Sequence, residues 1–319
     1  MTKSTRRIGT SGSTTMPSKH TKPGPRPSTS GNYSRSVVTQ PPSRANMDPR
    51  TVAGFGAEWS TYDQSDLDPV EARTIFEKYF SLIDLSLLPA NSVAADVGCG
   101  SGRWARFVAP HVGTLHLIDP AEVALGVAKR NLADQVNCQF HQAAVDKIPL
   151  PDASADLVYS LGVLHHIPDT EAGIRACVEK LKPGGILLVY LYYRFDTRPR
   201  WFRTLWRCSD VIRRGISRLP FGLRKLITSA IAAMVYWPMA RVARVVAGTG
   251  RNVSNLPLSI YRDASFYTMR TDALDRFGTR LEKRFTRSEI LDMLTRAGLS
   301  DICFRDDEPF WCASGRRPT

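Results

Sequence analysis

An aspartate followed by glycines at alternate positions is the first place where this chain could do chemistry. The run VAADVGCGSG, Val93 to Gly102, sets Asp96 ahead of Gly98, Gly100 and Gly102 at the end of an apolar stretch. Glycines at that spacing let the backbone turn sharply out of a strand and let a bulky ligand lie against it with no Cβ in the way. Such a loop suits a nucleotide-like ligand. A second carboxylate, Asp119, closes the next apolar run, LHLID, and an acid at that place accepts hydrogen bonds from ribose hydroxyls. The loop departs from the dinucleotide pattern GxGxxG, because its third glycine comes one residue early and a carboxylate precedes the first. Negative charge is badly placed beside phosphates and well placed beside a cation. The expected ligand therefore carries a ribose, an amine and a sulfonium.

A second group of candidates follows the fourth apolar run, in SLGVLHH, where His165 and His166 lie. Histidine has a pKa suited to proton transfer, and a hydroxyl acceptor would need a base. His166 is the candidate of the pair, against the plainer reading of an ordinary turn. Tyr190, Tyr192 and Tyr193 alternate along the fifth run, so Tyr190 and Tyr192 share a face by strand periodicity, with core packing as the alternative explanation. Arg194 and Arg270 could bind an anionic substrate or could be surface charges. The cysteines, Cys99, Cys138, Cys177, Cys208, Cys303 and Cys312, form no CxxC or Cys/His cluster, so neither a metal site nor a disulfide framework is expected.

Positioning these groups requires a regular alternation of strands and helices, and the sequence supplies one. Strand-like runs at 92–97, 114–118, 137–141, 156–161 and 185–192 alternate with helical ones at 103–109, 121–132 and 171–181. This predicts an α/β fold with a doubly wound parallel sheet, which binds ligands at the carboxyl ends of its strands. A helical segment over 69–88 precedes it, lid-like, with Ile75, Phe76, Tyr79, Phe80 and Ile83 at helical spacing. A capped helix from Thr286, with Glu289 completing the capping box and Gly298 as stop, and two strand-like runs at 301–304 and 310–313 follow.

The 319 residues suffice for one large domain with an insertion, and the net charge of +13 is unevenly placed. Residues 1–50 hold nine Lys/Arg against one acid, and residues 194–251 hold thirteen against two. The rest is acidic. Four parts are expected: a disordered basic tail over 1–50, core with the helical N-terminal segment over 51–193, a basic helical insertion over 194–277 and the remainder of the core over 278–319. Within the insertion, a helix over 201–219 places Trp201, Leu205, Cys208, Ile212, Ile216 and Leu219 on one side and Arg203, Arg207, Arg214 and Arg218 on the other. Two readings stand open: a cap whose apolar face packs over the site with its arginines solvated, and contact with an anionic membrane surface. The charge-free stretch 226–240, broken by Pro238, is too short to span a bilayer. The first residues hold no apolar core of the secretory kind, so a cytoplasmic location is expected, with peripheral attachment to a membrane through the insertion as its variant.

The motifs DVGCGSG, LID, IPLPDASADLVYSLGVLHHIPD (Ile148 to Asp169) and LKPGGILLVY (Leu181 to Tyr190) together resemble those of class I S-adenosylmethionine-dependent methyltransferases, particularly the group acting on small molecules and quinone-like lipids. That resemblance implies a Rossmann-like sheet of seven strands, mostly parallel with an antiparallel C-terminal strand, and a helical insertion after the fifth strand. It implies S-adenosyl-L-methionine as cofactor, with Asp96 and the backbone of Gly98, Gly100 and Gly102 on its methionine part and Asp119 on its ribose. Val145 and Asp146, in the loop Ala143-Ala-Val-Asp146, would flank the adenine, and Leu161 with Gly162 would line the site below the methyl. Many relatives carry an acid where Ala144 stands, which leaves the adenine amine to Asp146 or to backbone. The implied activity is methyl transfer to an oxygen or nitrogen of a small or lipid-linked acceptor. The fourth strand lacks the Asn/Asp-Pro-Pro-aromatic ending of enzymes that methylate adenine or glutamine. A nucleic-acid methyltransferase with a basic clamp and a membrane-associated binding protein that has lost catalysis are the other readings, and nucleic acid is not the expected partner. Oligomeric state is not legible in the sequence.

Overall fold

A computed structural model describes residues 45–319. The expected tail over 1–44 lies outside the described residues. The six residues before 51 are part of the folded core: Asn46 exchanges hydrogen bonds with the backbone of Asp169 at 2.7 and 2.8 Å, and Asp48 caps the first helix, α1 (Pro49–Thr61), by accepting from Thr51 N at 2.7 Å.

Seven strands form one sheet: β1 (Val93–Val97), β2 (Thr114–Asp119), β3 (Cys138–Gln142), β4 (Ala155–Leu161), β5 (Leu181–Tyr190), β6 (Ser300–Phe304) and β7 (Cys312–Arg316). Their order is β3-β2-β1-β4-β5-β7-β6, and β7 runs antiparallel to both of its neighbours while the remaining pairs are parallel. The expected doubly wound sheet with one antiparallel C-terminal strand is what is found. Order reverses between β1 and β4, so the loops after those strands open into one crevice at the carboxyl edge.

Strand periodicity sorts the core onto two faces. Ala95, Val97, Val158, Leu187 and Val189 pack with Ile174 and Cys177 of α5 (Thr170–Lys180) and with Ile290 and Leu294 of α10 (Arg287–Arg296). Ala94, Leu115, Leu117, Leu157, Tyr159 and Leu188 pack on the other face against Phe76 and Phe80 of α2 (Pro69–Phe80), Val108 of α3 (Ala105–Val108) and Leu125 and Ala128 of α4 (Glu122–Asn131). Thr286 and Glu289 form the expected capping box on α10.

Several bounds differ from the sequence expectation for local reasons. The segment 69–88 is not one helix: α2 stops at Phe80, and a 3-10 turn, Leu85–Leu87, starts where Asp84 accepts from Ser86 N at 3.0 Å. Strand β5 begins at Leu181, four residues before the expected start, and ends at Tyr190, so Tyr192 and Tyr193 lie beyond it. Strand β7 is 312–316, not 310–313.

The insertion holds α6 (Arg200–Ile216), α7 (Phe221–Ile231), a π-helical turn (Ala232–Tyr236), α8 (Trp237–Gly248) and α9 (Phe266–Gly278). It has its own small core, in which Ala232, Tyr236 and Ala240 meet Met269, Ala273 and Phe277. Helix α6 departs from the cap expectation, since neither expected side is turned wholly inward: Arg207, Arg214 and Arg218 are exposed, and so is most of the apolar side. Its buried positions are Asp210, Arg213 and Ile216, whereas Trp201, Leu205, Val211 and Ile212 are exposed. Ion pairs give the reason: Arg213 Nε meets Asp210 Oδ1 at 2.7 Å, Arg213 Nη1 donates to Thr279 O at 2.7 Å, and Arg276 lies 3.8 Å from Asp210. A charge network, together with Ile216 and the packing of Phe202 and Trp206 on Phe195, ties α6 to the core.

Candidate active site

The glycine loop is built by hydrogen bonds from β1 to β2. Gly98 N and Cys99 N both donate to Ile118 O, at 2.7 and 3.1 Å. Gly98 and Gly100 have φ of +82° and +53°, a region costly for other residues. Space forbids side chains as well: a Cβ on Gly98 would fall 2.4 Å from the Val163 methyls, and one on Gly100 would fall 2.8 Å from Trp59 Nε1 of α1. Helix α1 therefore lies over the loop, pressed on by Gly56 against Ala121.

Both loop carboxylates are buried. Asp96, on the last turn of β1, is 3% exposed, and its Oδ2 has no hydrogen-bond partner among the described residues. Burial pushes its carboxyl up to about 8, with the neighbouring Tyr159 hydroxyl pulling the other way and Asp119 adding to the rise. Asp119 accepts from Ala121 N at 2.8 Å with Oδ1 and from Gly100 N at 3.0 Å with Oδ2, and burial pushes it up to about 6. Asp119 thus clamps the loop while keeping lone pairs for a hydroxyl. A buried carboxylate oxygen with no donor fits a ligand bearing an ammonium or sulfonium, since a buried anion is costly until a cation or donor meets it. The residues present therefore suit S-adenosylmethionine.

The other sequence candidates fall around this centre. Val145 is buried among Ile148, Leu164 and Ile174, and Asp146 is exposed on the 3-10 turn Val145–Lys147. Leu161 and Gly162 lie at the end of β4 and line a cavity of about 1750 Å³. This cavity also touches Trp59 and Tyr190, and runs beneath the insertion past Phe202, Trp206, Tyr236 and Met239.

On its inner wall stands a group that joins the end of β5 to α9. Tyr192 donates to Asp275 Oδ2, and His166 Nε2 lies 3.8 Å from Asp275 Oδ1. His166 Nδ1 is 2.6 Å from Leu281 O, which leaves Nε2 as the ring nitrogen turned toward Asp275. Tyr192 and Asp275 line the cavity; His166 stands behind them, 3% exposed. His165 is fully buried and stacked on Tyr192 at 3.7 Å, and burial holds it well below the usual imidazole range, hence neutral. Tyr190 and Tyr192 do share a side, with ring centroids 5.7 Å apart. Burial also holds Glu58 of α1 well above the ordinary carboxyl range and pushes Asp272 up to about 6, each helped by the other acids nearby. Arg103 stacks on Trp104 at 4.2 Å and on Trp59 at 5.6 Å, between loop and cavity. Arg194 is elsewhere, paired with Glu289 at 2.7 Å, and Arg270 stacks on Tyr62 at 4.9 Å. Sequence reasoning passed over Glu58, Asp272 and Asp275. The only signal was an i, i+3 acid pair on α9, far from any motif.

Residues 95–189 match the family described as "Methyltransferase domain". Among curated proteins, the chain is 31% identical over 148 residues to a ubiquinone biosynthesis O-methyltransferase of Marinobacter nauticus, covering 45% of this chain and 62% of that protein. It is 32% identical over 152 residues to the enzyme of the same name from Pseudomonas fluorescens, covering 44% and 62%. The chain thus spans about three fifths of the length of the curated relatives it matches. Among solved structures, the N-methyltransferase NodS of Bradyrhizobium japonicum, in complex with S-adenosylhomocysteine, is 22% identical over 46% of this chain and 74% of its own, with a TM-score of 0.39. A methyltransferase from Methanococcus maripaludis is 14% identical over 86% and 97%, with a TM-score of 0.45. With the sheet order, the glycine loop and the two buried carboxylates already in place, residues 95–189 form the domain of a class I S-adenosylmethionine-dependent methyltransferase.

Proposed function

We propose that this protein transfers the methyl group of S-adenosylmethionine to an oxygen of a small or lipid-linked acceptor seated in the cavity beneath the insertion. Asp96 and the backbone of Gly98 to Gly102 would hold the methionine part, Asp119 the ribose, and Val145 with Asp146 the adenine side. The bound cofactor supplies a methyl already activated on a sulfonium. What the chain must add is alignment for in-line attack and, for a hydroxyl acceptor, somewhere for the proton to go. The observation that carries this reading is the Tyr192–Asp275 pair on the wall of the cavity that Leu161 and Gly162 also line, with His166 behind it. Asp275 takes the acceptor's proton directly or through the Tyr192 phenol, and His166 Nε2 shares the proton it gains. His166 would thus act through Asp275, one layer behind the cavity surface. The word O-methyltransferase in the relatives' names supports oxygen as the accepting atom.

The test has two stages. Titration calorimetry with S-adenosylmethionine should show one site per chain, and incubation with labelled cofactor and a lipid extract should label a lipid-soluble product whose formation is prevented when the hydroxyl groups of the extract are acylated beforehand. Absence of cofactor binding would sink the whole reading. Binding with a labelled amine product would move the acceptor atom from oxygen to nitrogen.

A further inference from the structure

The large exposed apolar side chains are not spread evenly. Of the nineteen on the described surface, eleven lie between Trp201 and Val245. Singly scattered apolar residues are normal on a protein surface; a contiguous set marks contact with something. Residues 221–248 form one helical rod in which Thr228, Ala232, Tyr236, Ala240 and Ala243 are buried against the core at steps of three and four. On the opposite side Leu226, Met234, Trp237 and Val245 are exposed, Met234 and Val245 by 71% each. The rod is 28 residues long, enough by length to cross a bilayer, but its seat on α9 turns one side inward. It is placed to lie in an interface, not to cross it.

The surrounding charge is mostly basic, with Asp263 paired to Arg244 and Arg262. Lys225 flanks the charge-free stretch, and Arg207, Arg218, Lys225 and Arg251 are exposed with no carboxylate within ion-pair distance among the described residues. Asp210, one of the two acids between 194 and 251, is turned inward by Arg213. Exposed Trp, Leu and Ile with unpaired Arg and Lys match the headgroup boundary of an anionic bilayer, where basic side chains meet lipid phosphates and apolar ones reach the acyl chains. The cavity shares this surface. Leu205 of α6, Val235 of the π-turn, Leu256 and Ile260 are at once exposed and part of its lining, together with Arg244 and Arg251.

We propose that the outer faces of α6 and of the 221–248 rod dock on an anionic lipid bilayer, and that the mouth of the cavity opens within that docking face. A lipid-linked acceptor would then pass from bilayer to site without crossing water, an extension that rests on the methyl-transfer reading; docking itself does not.

Co-sedimentation of the full chain with vesicles tests it, using phosphatidylglycerol/phosphatidylcholine mixtures against phosphatidylcholine alone. The expected result is at least about tenfold more protein bound to the anionic vesicles, with tryptophan emission quenched when the acyl chains are brominated. The double variant Trp201→Glu with Val245→Glu should lose the quenching and most of the binding while keeping its melting temperature, since both side chains point outward. Wild-type binding without quenching, or unchanged quenching in the variant, overturns the proposal. So does a chain that ignores vesicles and forms dimers through this face, or one that binds RNA instead, with affinity collapsing as salt rises. Vesicle docking by a protein that does not bind S-adenosylmethionine would leave docking standing and remove the methyl-transfer reading.

Discussion

The carboxyl edge of the sheet carries two clusters of buried carboxylates, and they are assembled in opposite ways. Asp96 and Asp119 come from two adjacent strands, and Asp119 is held by backbone donors from Gly100 and Ala121. They have no cation of their own. Asp275, Asp272 and Glu58 come from α9 and α1, which are far apart in the chain, and the first of them already has Tyr192 and His166 as partners. In the first cluster Asp96 Oδ2 waits without a donor, whereas in the second Asp275 already accepts from Tyr192. The difference fits the proposed assignment of one cluster to the cofactor and the other to the acceptor.

Removing the Asp96 charge separates the two most sharply. Asp96→Asn should weaken S-adenosylmethionine by about a hundredfold or more, the scale expected when a buried charge partner is lost. The same change should stabilise the cofactor-free protein above neutral pH. Asp96 is raised from 3.8 to about 8 in the fold, so the folded chain holds its proton more tightly and stability falls as pH climbs from about 4 to about 8. Asparagine removes that part of the slope. Melting curves across pH for both proteins check the sign, and equal slopes would mean that Asp96 is not the buried acid described.

Changes at the second cluster should spare the cofactor. Asp275→Asn and Tyr192→Phe are each expected to lower kcat for a hydroxyl acceptor by about 10²- to 10⁴-fold, the range of a lost general base, with cofactor affinity held within about twofold. A matching loss of cofactor binding would erase the distinction between the clusters. A smaller effect follows from proton linkage. Near pH 7 Asp96 is mostly protonated before the cofactor arrives and ionised after, so binding should release a fraction of a proton, seen as a heat that changes with buffer ionisation enthalpy. Smallest is Trp59→Ala. Its indole covers Gly100 and stacks with Arg103, so its loss should weaken cofactor binding by about fivefold, the value of one aromatic contact, and leave kcat near its original value.

How much was legible in advance follows the same division. The strands, their alternation with helices, the glycine turn and the capping box at Thr286 are local, set by periodicity and by steric needs that neighbouring residues express. The Tyr190 and Tyr192 pairing was legible for that reason, although the strand ends before Tyr192. The acid pair of α9 was not, because nothing near Asp275 in the chain says that it will meet Tyr192 and His166. Helix α6 shows the limit most clearly. Its two stripes were visible, but not that the inward side would lie between them at Asp210 and Arg213, because the groups that meet those residues, Arg276 and Thr279 O, are more than sixty residues away in the chain.

The sequence by itself determined the sheet, the loop and the chemical character of the ligand, because a glycine at positive φ and a carboxylate at a strand end are requirements satisfied within a few residues. Tertiary structure alone decided which acids share a cavity wall with Tyr192, and which side of the insertion stays outside. Both depend on long-range partners, Leu281 for His166 and Thr279 for Arg213, that the chain brings together only after it has folded.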